Sequence, residues 1–166
     1  MSIRRQVILG FAALVLSNAT MASEQAVATM QLTSNQQVIG SVVAKDTPHG
    51  LLLTPHLSKL SPGAHGFHIH EGSSCAQKGM AAKGHLDPAN TQTHQGPYAS
   101  GHLGDLPVLV VDAKGEASLP VLAPRLSVKQ VLGRSLMIHV GSDNYSDTPK
   151  LGGGGARVAC GVFKQS

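Results

Sequence analysis

Tryptophan is absent, aromatic residues make up only 3% of the 166 positions, and charged residues only 13%. So few aromatics exclude a core built on large ring anchors, and with them a groove that stacks nucleic-acid bases on rings. The net charge of +4 does not reverse that, because the Lys and Arg residues are scattered singly. No apolar run reaches the roughly 20 residues that a membrane-spanning helix needs. The two cysteines, Cys75 and Cys160, are far apart and neither has a second cysteine at zinc-finger spacing, which argues against a thiolate metal site. What the chain has in quantity is glycine (19), proline (9) and histidine (9), a composition of turns and short strands rather than long helices.

The N-terminus reads as a targeting segment. Arg4 and Arg5 precede the apolar run Val7–Leu16, followed by small residues up to Ala22, the pattern of a cleaved secretory signal peptide over residues 1–22. Its removal would leave a single domain over 23–166, with a net charge of +2 because two arginines and no acids are lost. Export would place the two cysteines where disulfides persist. If joined, they would close a loop of about 85 residues, worth roughly 4–5 kcal/mol in the chain-entropy model.

No helical period stands out after residue 22. Short alternating or β-branched runs occur at Val27–Thr33, Val38–Ala44, Gly50–Thr54, Gly66–His70, Leu106–Val111, Glu116–Val121, Leu136–Gly141 and Ala156–Phe163. Turn signals separate them, and Val128–Leu132 suits a helical turn. Eight strands without intervening helices predict an all-β antiparallel sandwich or barrel. Two connections, 71–104 and 142–155, are long enough to expect function in them. The second ends in four glycines, Gly152–Gly155, with no Lys-Ser/Thr after them, so a phosphate loop is excluded. Close backbone approach or positive φ beside a site is the expected use.

The histidines carry the chemistry. His68 and His70 lie two apart on one strand and so share a face, while Phe67 and Ile69 point to the other. His139 alternates with Leu136, Ile138 and Val140 and should also face away from the core. The first long connection supplies His85, His94 and His102, with Asp105 three residues beyond His102. Three imidazoles and a carboxylate suit tetrahedral zinc; an imidazole set with an open position suits a redox metal such as copper. His49 and His56 read as ordinary surface residues. Spacing alone reaches one or two histidine-rich metal sites and does not fix the metal.

Gly66-Phe67-His68-Ile69-His70-Glu71, Gly84-His85-Leu86-Asp87-Pro88, His102-Leu103-Gly104-Asp105-Leu106-Pro107 and the stretch from Gly152 through Arg157 to Cys160-Gly161-Val162 resemble the copper,zinc superoxide dismutases. Gly104–Pro107 and Asp143–Asp147 look like the periplasmic bacterial branch, and the resemblance spans the mature chain. It implies an eight-stranded Greek-key β-barrel or Ig-like sandwich with two long functional loops. It also implies one copper and one zinc per subunit. Copper would be held by His68, His70, His85 and His139, and zinc by His85, His94, His102 and Asp105, with His85 as the bridge. Asp143 would link a copper histidine to a zinc histidine, His65 would be structural, and Cys75 and Cys160 would pair.

The activity so implied is the dismutation of superoxide to oxygen and hydrogen peroxide, as antioxidant defence in the periplasm. Arg157 would dock the anion and His85 would carry a proton. Gly141 and Ser142 would shape the channel, and Lys78 or Lys83 would attract substrate. The implied partners are superoxide and a second copy of the chain in a homodimer, with the monomer as alternative. Neither nucleic acid nor, after signal cleavage, membrane is expected. Two rivals stand beside this reading: a copper-binding or transfer module without turnover, and a zinc-stabilised structural sandwich.

Overall fold

Alternation of apolar and polar side chains sets the framework. The computed structural model describes residues 24–166, so the expected signal peptide lies outside the described residues. Nine strands form: β1 (Gln25–Leu32), β2 (Val38–Thr47), β3 (Gly50–Leu57), β4 (Gly63–His65), β5 (Phe67–His70), β6 (Leu109–Val111), β7 (Val121–Ala123), β8 (Ser135–His139) and β9 (Arg157–Gln165). Seven make one antiparallel sheet in the order β5-β8-β9-β1-β2-β3-β7, and β4 pairs with β6. The large sheet curls into a Greek-key barrel. Among the described residues a short α-helix, α1 (Val128–Val131), begins at a capping box between Ser127 and Gln130.

Three expectations are corrected in detail. The strand expected at Gly66–His70 begins at Phe67, because Gly66 lies where the chain passes from β4 in one sheet to β5 in the other. The strand foreseen at Leu106–Val111 shrinks to Leu109–Val111, and the one foreseen at Glu116–Val121 is displaced to Val121–Ala123, sharing only Val121. Of the second run, Ala117 makes only an isolated bridge to Leu57. Val140 is 52% exposed instead of inward, since a bulge between Ile138 and His139 ends the alternation of β8.

The core runs through the barrel as one contiguous cluster. Phe67, Ile69, Leu136, Ile138, Met30, Leu51 and Leu53 are fully buried there, with Phe163 nearly so. Ala28, Ala44 and Ala159 fill the spaces between them, so aliphatic packing replaces the missing aromatic mass. On the outer face of β8 and β9 a small second cluster joins Met137, Ala82 and Cys160 beside Cys75. Cys75 and Cys160 are disulfide-bonded with Cα atoms 5.7 Å apart, which pins the start of the first long loop to β9.

Candidate metal centre

The site grows from the free edge of β5. Phe67 and Ile69 enter the core, so His68 and His70 must emerge on the outer face. Both are nevertheless fully buried, because the long loops cover that face. The first loop does so by hydrogen-bonding to the strand edge. Ile69 donates to Gly104 O at 2.9 Å, Leu86 to Ile69 O at 2.9 Å and Glu71 to Gly84 O at 3.0 Å. These bonds bring His85 opposite His70 and Asp105 opposite His68. A side chain at Gly104 would collide with the Ile69 carbonyl, so the residue there must be glycine for the loop to reach the strand.

His139 arrives from the neighbouring strand. β5 and β8 pair with His68 opposite Met137, and His139, two residues on from Met137, stands on the same face with its ring 5.0 Å from that of His68. Its backbone N–H donates to Gly66 O at 2.8 Å. Both ring nitrogens of buried His65 face carbonyl oxygens, those of His139 at 2.7 Å and Ser61 at 2.8 Å. His65 thus clamps backbone beside the site and offers it no ring nitrogen. His49 and His56 are exposed and far from it.

Two groups of buried donors result: His68, His70, His85 and His139, and His85, His94, His102 and Asp105. In the first group each ring has one nitrogen committed. His68 Nε2 donates to Asp143 Oδ2 at 2.5 Å, His70 Nδ1 to Lys83 O at 2.9 Å and His139 Nδ1 to Gly155 O at 2.9 Å. That fixes the tautomer, and the other nitrogens, His68 Nδ1, His70 Nε2 and His139 Nε2, are buried without a hydrogen-bond partner. Lone pairs held so, facing one another, are what an imidazole-bound cation requires.

In the second group three imidazole nitrogens surround one oxygen. Asp105 Oδ1 lies 2.9 Å from His85 Nδ1, 3.0 Å from His94 Nδ1 and 3.5 Å from His102 Nδ1. A tetrahedral ion with bonds of about 2.0 Å separates its ligands by about 3.3 Å, so this cluster has the dimensions of a zinc site. His94 Nδ1 and His102 Nδ1 again lack hydrogen-bond partners.

Asp143 joins the two groups, accepting from His68 Nε2 through one oxygen and from His94 Nε2 through the other at 2.8 Å. The glycine run makes room for this bridge. A Cβ at Gly152 would overlap Asp143 Oδ1 and approach His94 Nε2 to 2.7 Å, and its φ of +74° suits only glycine well.

Electrostatics separates the groups as well. Burial lowers His68 to about 3, against its hydrogen bond with Asp143. Burial and the neighbouring His85 lower His70 to about 2. Burial also lowers His85 and His139. In each case burial favours the neutral ring, the form that binds a cation. Burial also works to lower His94, but Asp105 and Asp143 on either side overcome it and raise the ring to about 9. Despite burial, Asp105 and Asp143 are held well below the carboxylate range by hydrogen bonds from histidines. In the metal-free protein the two ionised carboxylates therefore share a protonated His94 between them, and a divalent cation would take the place of that proton.

The family model for copper/zinc superoxide dismutase matches residues 38–163. The chain belongs to that family. It is 54% identical over 126 residues to the Cu-Zn superoxide dismutase of Legionella pneumophila, covering 76% of this chain and 78% of the relative. The Cu/Zn superoxide dismutase structure from Brucella abortus superposes with a TM-score of 0.81 at 45% identity, over 85% of this chain and all of that one. The solution structure of the monomeric copper, zinc superoxide dismutase from Salmonella enterica gives 0.73 at 54% identity, over 86% of this chain and all of that one. Copper and zinc are the metals of this family, and the two donor groups fit them.

A cavity of about 350 Å³ opens onto the first group, lined by His70, His85, His139, Arg157, Lys150 and Met80. Arg157 is half-buried at its wall and donates to Gly79 O and Lys83 O, both at 2.5 Å, which aims the guanidinium. Lys78 and Lys83, expected to attract substrate, are exposed but do not line the cavity, whereas Lys150 does. Gly141 and Ser142 do not line it either; Gly141 bonds the backbone of Gly66 and Gly154 behind it. Sequence reasoning missed Asp147, which accepts the His94 N–H at 3.0 Å. No local pattern marks it, because its partner lies 53 residues away.

Proposed function

We propose that this chain is a superoxide dismutase that binds one copper at His68, His70, His85 and His139 and one zinc at His85, His94, His102 and Asp105. The observation that carries the proposal is the set of buried, unpartnered imidazole nitrogens facing one another beside an arginine-lined cavity. Copper supplies one-electron exchange when bound, so that two superoxides and two protons become one oxygen and one hydrogen peroxide.

The chain's own residues supply the rest. Arg157 docks the anion through N–H groups not spent on Gly79 and Lys83. His85 Nδ1 faces Asp105, and its Nε2 would serve the other group; when free of the metal, that nitrogen would take up a proton from solvent and hand it to the peroxide formed. Asp105 holds that ring in place from the zinc side. His68 and His94 are kept in register by Asp143, so the groups act as one unit. The donors of both groups are buried.

Antioxidant defence in the periplasm belongs to the same proposal, together with a signal peptide removed after Ala22 and a single domain over 23–166. Its support is the charged, apolar and small-residue order of the first 22 residues and the Cys75–Cys160 disulfide. N-terminal sequencing of protein from a periplasmic extract tests it. A homodimer is also proposed, with the monomer, the state of the Salmonella enterica enzyme, as the alternative; sedimentation velocity separates them.

The decisive assay is metal analysis with superoxide consumption on protein refilled with both metals. The proposal expects one copper, one zinc and rapid consumption. Both metals without turnover would favour a binding module, and zinc alone a structural sandwich.

A further inference from the structure

Arg125 belongs to neither donor group and sits in the connection between β7 and α1. Its guanidinium nevertheless reaches into the first long loop and donates to three backbone carbonyls. Nε bonds Pro97 O at 3.2 Å, Nη1 bonds Gly101 O at 3.1 Å and Nη2 bonds His102 O at 2.6 Å. Gly101 and His102 are buried, so these carbonyls need partners that water does not freely supply.

The segment they belong to is a closed loop. His102 N–H donates to Thr93 O at 2.9 Å, and a Cβ at Gly101 would come within 2.5 Å of that same oxygen. One end of the loop carries His94 and the other His102. The His94 end is tied to the second long loop through Asp147 and Asp143. The His102 end is tied through Arg125 to the barrel, because β7 beside it pairs with β3 from Leu51–Ala123 to Leu53–Val121.

We propose that Arg125 is a positioning residue for the zinc-side group. By holding the Gly101 and His102 carbonyls it sets where His102 Nδ1 stands relative to Asp105 Oδ1, and so how firmly the group retains its ion. The inference rests on the assignment of that group to zinc made above. Three acceptors arranged around one planar fork suit arginine; an ammonium cannot span them from a single point.

The test follows zinc release into excess chelator from zinc-loaded, copper-free wild type, R125A and R125K, together with copper affinity at the other group and thermal unfolding of the metal-free forms. Loss of a group that orients a ligand typically costs about ten- to a hundredfold in metal retention, and R125A is expected to release zinc faster by about that factor. R125K should fall between it and wild type, with copper affinity unchanged in both. Equal release rates in all three proteins would overturn the proposal, as would loss of copper and zinc by the same factor, which marks general unfolding. Should R125A fail to fold, R125K with amide exchange at Gly101 and His102 decides the matter, and unchanged protection and release overturn it. Wild type that takes up no zinc would instead sink the zinc assignment itself.

Discussion

At the scale of single residues, the site depends on which nitrogen of each ring is committed. His68, His70 and His139 each spend one nitrogen on a fixed acceptor and present the other. The parity of His68 and His70 was legible in the sequence, since alternation alone places them together opposite Phe67 and Ile69. Their tautomers were not, because the acceptors Asp143, Lys83 O and Gly155 O come from elsewhere in the chain. Arg157 has the clearest single-residue consequence. Hydrogen bonds to charged groups contribute about 1.5–3 kcal/mol, so Arg157→Ala should lower the rate of superoxide consumption by about ten- to a hundredfold while copper stays bound. Unchanged turnover at full copper content would remove its docking role. Gly152→Ala should cost about 1–3 kcal/mol in the unfolding of the metal-free protein, since a Cβ meets Asp143 and the backbone sits at positive φ. A denaturant midpoint equal to wild type would show that the bridge can shift aside.

At the scale of elements, β5 and the two long loops form the functional unit. The strand's inner face is core and its outer face is site, while its free edge bonds the segments that carry His85 and Asp105. Long connections rich in ligand chemistry could be recognised from sequence. Their course over the barrel could not, because it depends on backbone bonds between Ile69, Leu86 and Gly104 and on the disulfide to β9. The register shift between β8 and β9 was likewise hidden, since simple alternation predicts an inward Val140. Cys75→Ser should destabilise the metal-free protein by up to roughly 4–5 kcal/mol, because an 85-residue separation is no longer closed. Urea unfolding with matched reduced wild type checks this, and equal midpoints for oxidised wild type and the variant would contradict it.

For the molecule as a whole, charge is placed where the substrate approaches. Asp143 and Asp147 in the second loop are turned to histidine partners, so they offset Lys150 less than their number suggests. The sequence pointed to Lys78 and Lys83 because they flank His85 along the chain; the fold puts Lys150 on the cavity wall instead. A unit charge acting at about 10 Å through water is worth about 0.4 kcal/mol, so Lys150→Gln should slow association by about twofold. It should also flatten the salt dependence, and Lys78→Gln should do neither. Stopped-flow or pulse-radiolysis rates across ionic strength give the comparison, and equal slopes for Lys150→Gln and wild type would exclude a steering role.

One buried cluster that takes two different metals through a shared His85 should lose them separately when its other ligands are removed. Copper and zinc titrations of metal-free His139→Ala and His94→Ala test it most directly. His139→Ala is expected to lose tight copper binding and superoxide consumption yet keep its zinc, and His94→Ala chiefly to weaken zinc. Equal loss of both metals in either variant would contradict two separate sites.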